Sequence, residues 1–294
     1  LGRYDCQGQR ISNFRTLDIS VSRLVSIFDN DRFQLVGRWC AGSFGSARGQ
    51  CCLRGFDMTK KPNILLITSD QHRGDCFGFE GRNVKTPHLD RMAQEGTQFS
   101  NCITPNVVCQ PSRSSILTGL LPCTHGVSDN GIDLEVAQGE KGFGRTLADS
   151  GYQSGFVGKT HFSTHHTFAP TGTPEDKSTI PNLPVDWMGP YMGFDHMETM
   201  MLGHYANGRP TPPPNSLHYE RWLFADGRGE DKIKLWETHL SPDVGAPQTW
   251  NSAMPAAWHH STWVGNQTVR YLEQHKEEPF ILWASFPDPH TPFD

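Results

Sequence analysis

Asn63-Ile64-Leu65-Leu66-Ile67-Thr68-Ser69-Asp70-Gln71 reads as a buried strand that delivers polar side chains at its carboxyl end. The apolar run is bounded by Pro62 on one side and Ser69-Asp70 on the other. Its length suits a strand covered on both faces, as in a parallel sheet, rather than a helix. Downstream, strand and helix patterns alternate. Thr86 caps a helix opened by Pro87, with Leu89, Met92 and Ala93 on one face and Gly96 at its end. Thr97 to Thr104 reads as a second strand, and Ser112 to Thr118 as a short helix closed by Gly119. Phe143, Leu147 and Ala148 mark a helix stopped by Gly151. Tyr152 to Val157 reads as a strand running into Gly158-Lys159. Val264, Thr268, Tyr271 and Leu272 share a helix face, and Phe280 to Phe286 is another buried-type strand, ending at Pro287-Asp288-Pro289-His290. This alternation implies an α/β sandwich. Asp70, Gln71, Lys159, His161 and His290 all follow strand ends, where open α/β sheets place their ligand crevice. They form one candidate site.

Two segments differ in texture. Residues 1–57 show no sustained period of 2 or 3.6, and their one apolar island, Leu24 to Phe28, is too short for a signal sequence. Residues 1–57 are therefore expected to be a non-native or disordered extension, with Met58 as the true start of a domain covering residues 58–294. Residues 163–250 carry eleven of the 21 prolines and no long apolar run. They read as a loop-rich insertion lying over one end of the sheet.

The chain's 294 residues carry a net charge of −5 and no Lys/Arg block, which disfavours nucleic acid as a partner. No stretch approaches the ~20 apolar residues of a membrane span, so no membrane partner is expected. Eight cysteines in a chain of this length do not form a disulfide scaffold, and the absence of a CxxC pair gives no support to a zinc site. No GxGxxG follows the first strand, against a dinucleotide-binding domain.

The most specific pattern is Cys109-Gln110-Pro111-Ser112-Arg113, continued by Ser114-Ser115-Ile116-Leu117-Thr118-Gly119. With Asp70-Gln71, Gly158-Lys159-Thr160-His161 and Pro289-His290-Thr291-Pro292, it resembles the type I sulfatase family of the alkaline-phosphatase-like superfamily. There the Cys of Cys-x-Pro-Ser-Arg is oxidised to formylglycine. The local physics suits a reactive position, because a helix N-terminus and the charge of Arg113 favour negative charge beside Cys109.

The resemblance implies an alkaline-phosphatase-like sandwich with a large, mostly parallel (mixed) central sheet flanked by helices, here without its C-terminal part. It implies one Ca²⁺ held by Asp70, Gln71 and the oxidised Cys109, with Arg113, Lys159, His161 and His290 completing the catalytic set. Gln71 departs from the family's usual Asp, although an amide oxygen can ligate Ca²⁺. The implied reaction is hydrolysis of a small-molecule or carbohydrate sulfate ester after maturation by a formylglycine-generating enzyme, with the cytoplasm as the expected location. The family completes its metal site with an Asp-Asn or Asp-His pair and a Lys beyond the Pro-His-x-Pro segment. The chain stops before that, so weak metal binding and little activity are expected of it as it stands. Two alternatives stay open: a phosphonate monoester hydrolase or phosphodiesterase of the same superfamily, to which Gln71 points, and an inactive fragment. His165-His166, His204 and His259-His260 read as ordinary exposed residues.

Overall fold

The structure is a computed structural model that describes residues 61–163, 167, 169, 171–200, 210–241, 245–246 and 248–294, and the backbone of two short strands at 24–29 and 32–33. Met58, His165, His166 and His204 lie outside the described residues.

The sheet has the order β2-β1-β3-β8-β4-β5. Its strands are β1 (Leu24–Asp29), β2 (Arg32–Phe33), β3 (Asn63–Ser69), β4 (Gln153–Lys159), β5 (His196–Met200) and β8 (Phe280–Phe286). A separate antiparallel pair, β6 (His239–Leu240) and β7 (Asn251–Ser252), lies apart from it. From β3 to β5 the ladders are parallel, with Leu66 opposite Trp283 and Phe156 opposite the same Trp283. β1 pairs antiparallel with β3, so the sheet is mixed. Most of residues 1–57 falls outside the described residues; of those described, β1 and β2 join the sheet.

The flanking helices are α1 (Pro87–Glu95), α2 (Cys109–Thr118), α3 (Pro122–His125), α4 (Val136–Gly139), α5 (Phe143–Asp149), α6 (His218–Phe224), α7 (Gly229–Trp236) and α8 (His260–His275). Strand side chains alternate between two cores, as period-2 geometry requires. Leu65, Val157, Leu282 and Ala284 face a cluster with Tyr219, Leu223, Ile233, Trp263, Val264 and Tyr271 from α6, α7 and α8. Phe156 and Trp283 face the other way, toward Leu117, Leu134, Phe162, Tyr191 and Phe194. β8 is buried along six of its seven residues, which is why it reads as an unbroken apolar run.

Two elements differ from the sequence reading. Thr97–Thr104 forms no strand; Phe99 and Ile103 are exposed, and β-forming residues without a neighbouring ladder do not make a strand. The helix read from Ser112 starts three residues earlier, at Cys109, with Val108 as its extended N-cap residue. Within 163–250, β5 adds an edge strand to the sheet, and α6 and α7 supply core side chains. Because β3, β4 and β8 run parallel, their carboxyl ends bring Asp70, Lys159 and the 287–290 segment to one edge.

Candidate active site

Asp70 leaves β3 with its backbone N–H bonded to the carbonyl of Asp288 at 3.1 Å. That bond ties the ends of β3 and β8 together. Gly158 lets β4 approach equally closely. It sits at φ 109°, and a Cβ there would lie 2.0 Å from the carbonyl oxygen of Ser285. The next residue, Lys159, is thereby set against β8, and its ammonium bonds the Asp70 carboxylate. Arg113 reaches over from α2. Its Nη1 donates to the Lys159 carbonyl at 2.6 Å and to Ser285 Oγ at 2.7 Å, and its Nη2 lies 3.8 Å from Asp70 Oδ2. Ser285 Oγ in turn donates to the Lys159 carbonyl at 2.7 Å.

Cys109 opens α2 beside this network, its Sγ 3.7 and 3.9 Å from the two oxygens of Asp70. Asp70, Cys109 and His290 bring their ligand atoms within 4.8 Å of one another. His290 donates from Nδ1 to the Thr291 carbonyl at 2.7 Å, which leaves Nε2 as the basic nitrogen of the neutral ring. Asp70, Gln71, Cys109, Arg113 and His290 all line one cavity of about 270 Å³. Gln71 is held at φ 55°, a conformation uncommon for a non-glycine residue.

The charges are unevenly settled. Burial opposes ionisation of Asp70, but Lys159 and Arg113 outweigh it and hold the carboxyl well below its ordinary range. Burial pushes the Cys109 thiol up; Lys159 and Arg113 pull it down, while the Asp70 charge adds to the rise. The positive charges of Lys159 and Arg113 thus favour negative charge beside Cys109, while burial keeps the thiol itself protonated. Burial also lowers His290, with Lys159 acting in the same direction, so the ring is neutral near pH 7.

Neither Lys159 nor His161 is among the side chains lining the cavity: Lys159 is buried where its ammonium bonds Asp70, and His161 is buried at φ 54° in the turn after β4. Several residues that the sequence reading passed over belong to the site's frame. Asn130 lines the cavity, and its Oδ1 accepts the N–H of Gln110 at 3.0 Å. Gln110 is itself fully buried; it donates from Nε2 to the carbonyls of Ile132 and Phe162 and accepts the Gly131 N–H at 2.5 Å. Asn106, which lines the cavity, accepts the N–H of Val108 at 2.8 Å.

His259 and His260, read as ordinary exposed residues, are instead half-buried and buried at the start of α8. His260 Nε2 lies 3.0 Å from Asp288 Oδ1, and the Ser261 hydroxyl donates to Asp288 Oδ2. These contacts hold the same Asp288 whose carbonyl receives the Asp70 N–H.

Comparison with known proteins identifies the family. The sulfatase family model matches residues 62–294. The multifunctional alkaline phosphatase superfamily protein PehA of Trinickia caryophylli is 30% identical over 244 residues, covering 80% of this chain and 43% of that protein. The ulvan-active sulfatase of Formosa agariphila is 35% identical over 167 residues, covering 56% of this chain and 29% of the relative. The chain thus spans less than half the length of these relatives. Among solved structures, the phosphonate monoester hydrolase of Agrobacterium radiobacter superposes with a TM-score of 0.55 over 78% of this chain and 41% of that one, at 24% identity. The fold is the alkaline-phosphatase-like sandwich that the motifs imply, and the chain belongs to the sulfatase family.

Proposed function

We propose that this protein hydrolyses sulfate esters through a formylglycine made from Cys109, with a Ca²⁺ held by Asp70 and Gln71. The observation that carries the reading is the meeting of Asp70, Cys109, Arg113, Lys159 and His290, from four separate chain segments, at one cavity edge. The donor set fits a hard cation: a carboxylate kept ionised at neutral pH and an amide oxygen on a backbone turned to positive φ. Bound there, the ion would supply charge that lowers the cost of forming an alkoxide at position 109.

The chain's own residues account for the rest. A thiol pushed up by burial is a poor nucleophile near pH 7. Oxidised to the aldehyde and hydrated, residue 109 would offer two hydroxyls on one carbon, one to attack sulfur and one to expel sulfate afterwards, which a thiol cannot do. Lys159 and Arg113 place two fixed cations beside Cys109, where negative charge builds on the sulfate oxygens. His290, neutral with its proton on Nδ1, can take a proton at Nε2 from a hydroxyl in the cavity. The oxidation makes a formylglycine-generating enzyme a maturation partner. A carbohydrate sulfate is the proposed substrate: Asn106, Asn130 and Thr104 line the cavity with groups that bond sugar hydroxyls, and one relative is named as active on ulvan.

A second reading, phosphodiester or phosphonate ester hydrolysis, is favoured by Gln71, which removes one negative charge from the metal site. Rates on an aryl sulfate and an aryl phosphodiester, measured side by side on the whole protein with Ca²⁺, decide between them. We expect kcat/KM at least about tenfold higher on the sulfate. A faster phosphodiester reaction overturns the sulfatase assignment.

A further inference from the structure

Behind the cavity, the turn from Lys159 to Ser163 wraps a buried pair of carboxylates that the proposed chemistry does not use. Glu175 Oε1 accepts the backbone N–H of Phe162 and of Ser163, each at 3.2 Å, and the Tyr191 hydroxyl at 2.9 Å. Asp176 Oδ1 accepts the Ser163 hydroxyl at 3.0 Å, and its Oδ2 accepts the N–H groups of Gly172 and Thr173 at 2.6 and 3.1 Å. Both residues are buried, Asp176 almost completely. Among the described residues, no Lys or Arg forms an ion pair with either carboxylate; hydrogen-bond donors alone satisfy them. Burial pushes the Glu175 carboxyl up to about 7, the mark of an acid kept in the interior for its bonds rather than for a charge partner.

The position of this pair gives it a use. On the cavity side, Arg113 and Ser285 hold the carbonyl of Lys159. On the far side, Glu175 holds the next N–H groups but two, those of Phe162 and Ser163. Between these fasteners His161 sits at φ 54°, a conformation that a non-glycine residue holds only where its surroundings impose it. Phe162 is pinned further: its side chain packs with Phe156 and Trp283, and its carbonyl accepts the N–H of Leu134 at 2.9 Å. The turn is fixed at both ends, by Arg113 and Ser285 on the cavity side and by the two buried carboxylates on the other.

We infer that Glu175 and Asp176 are positioning residues for the anion-binding arm, Glu175 holding the Phe162 and Ser163 amides and Asp176 the Ser163 hydroxyl, so that the strained turn at His161 sets Lys159 against Asp70. The use of that arm on a sulfate ester rests on the function proposed above; the clamp itself does not.

The test is made on the whole protein with Glu175→Leu, Glu175→Gln and Asp176→Asn. Hydrogen exchange of the Phe162 and Ser163 amides reads the clamp directly. Hydrolysis of an aryl sulfate and inhibition by inorganic sulfate read the arm. In Glu175→Leu we expect the two amides to exchange at least about tenfold faster, kcat/KM to fall about 10–100-fold, and the inhibition constant of inorganic sulfate to rise by the same order. Glu175→Gln, which keeps a carbonyl acceptor in place, should stay within about threefold of the parent on both counts. If Glu175→Leu does not fold, Asp176→Asn carries the test: it weakens the bond to the Ser163 hydroxyl and should shift both readouts in the same direction. Unchanged exchange at both amides, or faster exchange with unaltered kcat/KM and sulfate inhibition, overturns the inference. A parent protein that hydrolyses no sulfate ester would sink the functional reading, while the exchange data would still decide the clamp.

Discussion

Arg113 binds three chain segments with one planar group: Nη1 serves β4 through the Lys159 carbonyl and β8 through Ser285, while Nη2 faces Asp70. A lysine has no fork to divide in this way. Arg113→Lys should therefore lower kcat/KM by about 10²–10³-fold, seen in steady-state kinetics, with the fold retained. Gly158 makes a harder demand. Any side chain there meets the Ser285 carbonyl at 2.0 Å on a backbone at φ 109°, so Gly158→Ala should cost about 3 kcal/mol or more in denaturant unfolding. At this scale the sequence showed Asp70, Cys109, Lys159 and His290 because each sits in a short local motif. Ser285, Gln110, Asn130 and Glu175 were invisible there. Their work is done through bonds to residues far along the chain, such as Ser285 to Lys159, and no local spacing records that.

Among the elements, β8 was legible in full and β5 was not. Phe280–Phe286 is an apolar run, whereas His196–Met200 is short and mixes His, Glu and Thr with its methionines. Its place at the sheet edge comes from pairing with β4 and from α6 covering it, both of them long-range facts. The opposite error, a strand expected at Thr97–Thr104, came from β-forming residues that find no ladder. β8 also carries the energetic centre of one core. Trp283 is fully buried, meets Phe143 and Phe156 at a tilt and Phe162 and Phe194 edge-on, and donates its indole N–H to Thr68 Oγ1 at 2.9 Å. Trp283→Ala should destabilise the fold by about 3–5 kcal/mol, measured by urea titration. Because Phe162 leans on that indole, the turn after β4 should loosen with it.

Across the molecule, buried ionisable groups set how stability follows pH. Burial lowers His218 and His259 to about 4 from 6.5, and raises Glu175 to about 7 from 4.5. Between pH 4.5 and 6.5 the folded chain thus binds two protons fewer through the histidines and one more through Glu175. The balance is fewer protons than in the unfolded chain, so stability rises with pH there, by on the order of 1 kcal/mol per unit. The depressed His125, His275 and His290 act in the same direction. Glu175→Gln removes the opposing proton and should steepen that rise in denaturation curves taken across the window. The proposed chemistry turns on the chemical state of residue 109. Mass analysis of the peptide that carries it, from whole protein matured beside a formylglycine-generating enzyme, is the most direct test. An aldehyde at that position, lost together with activity in Cys109→Ala, is the result this account requires. An intact thiol in protein that still turns over a sulfate ester would contradict it.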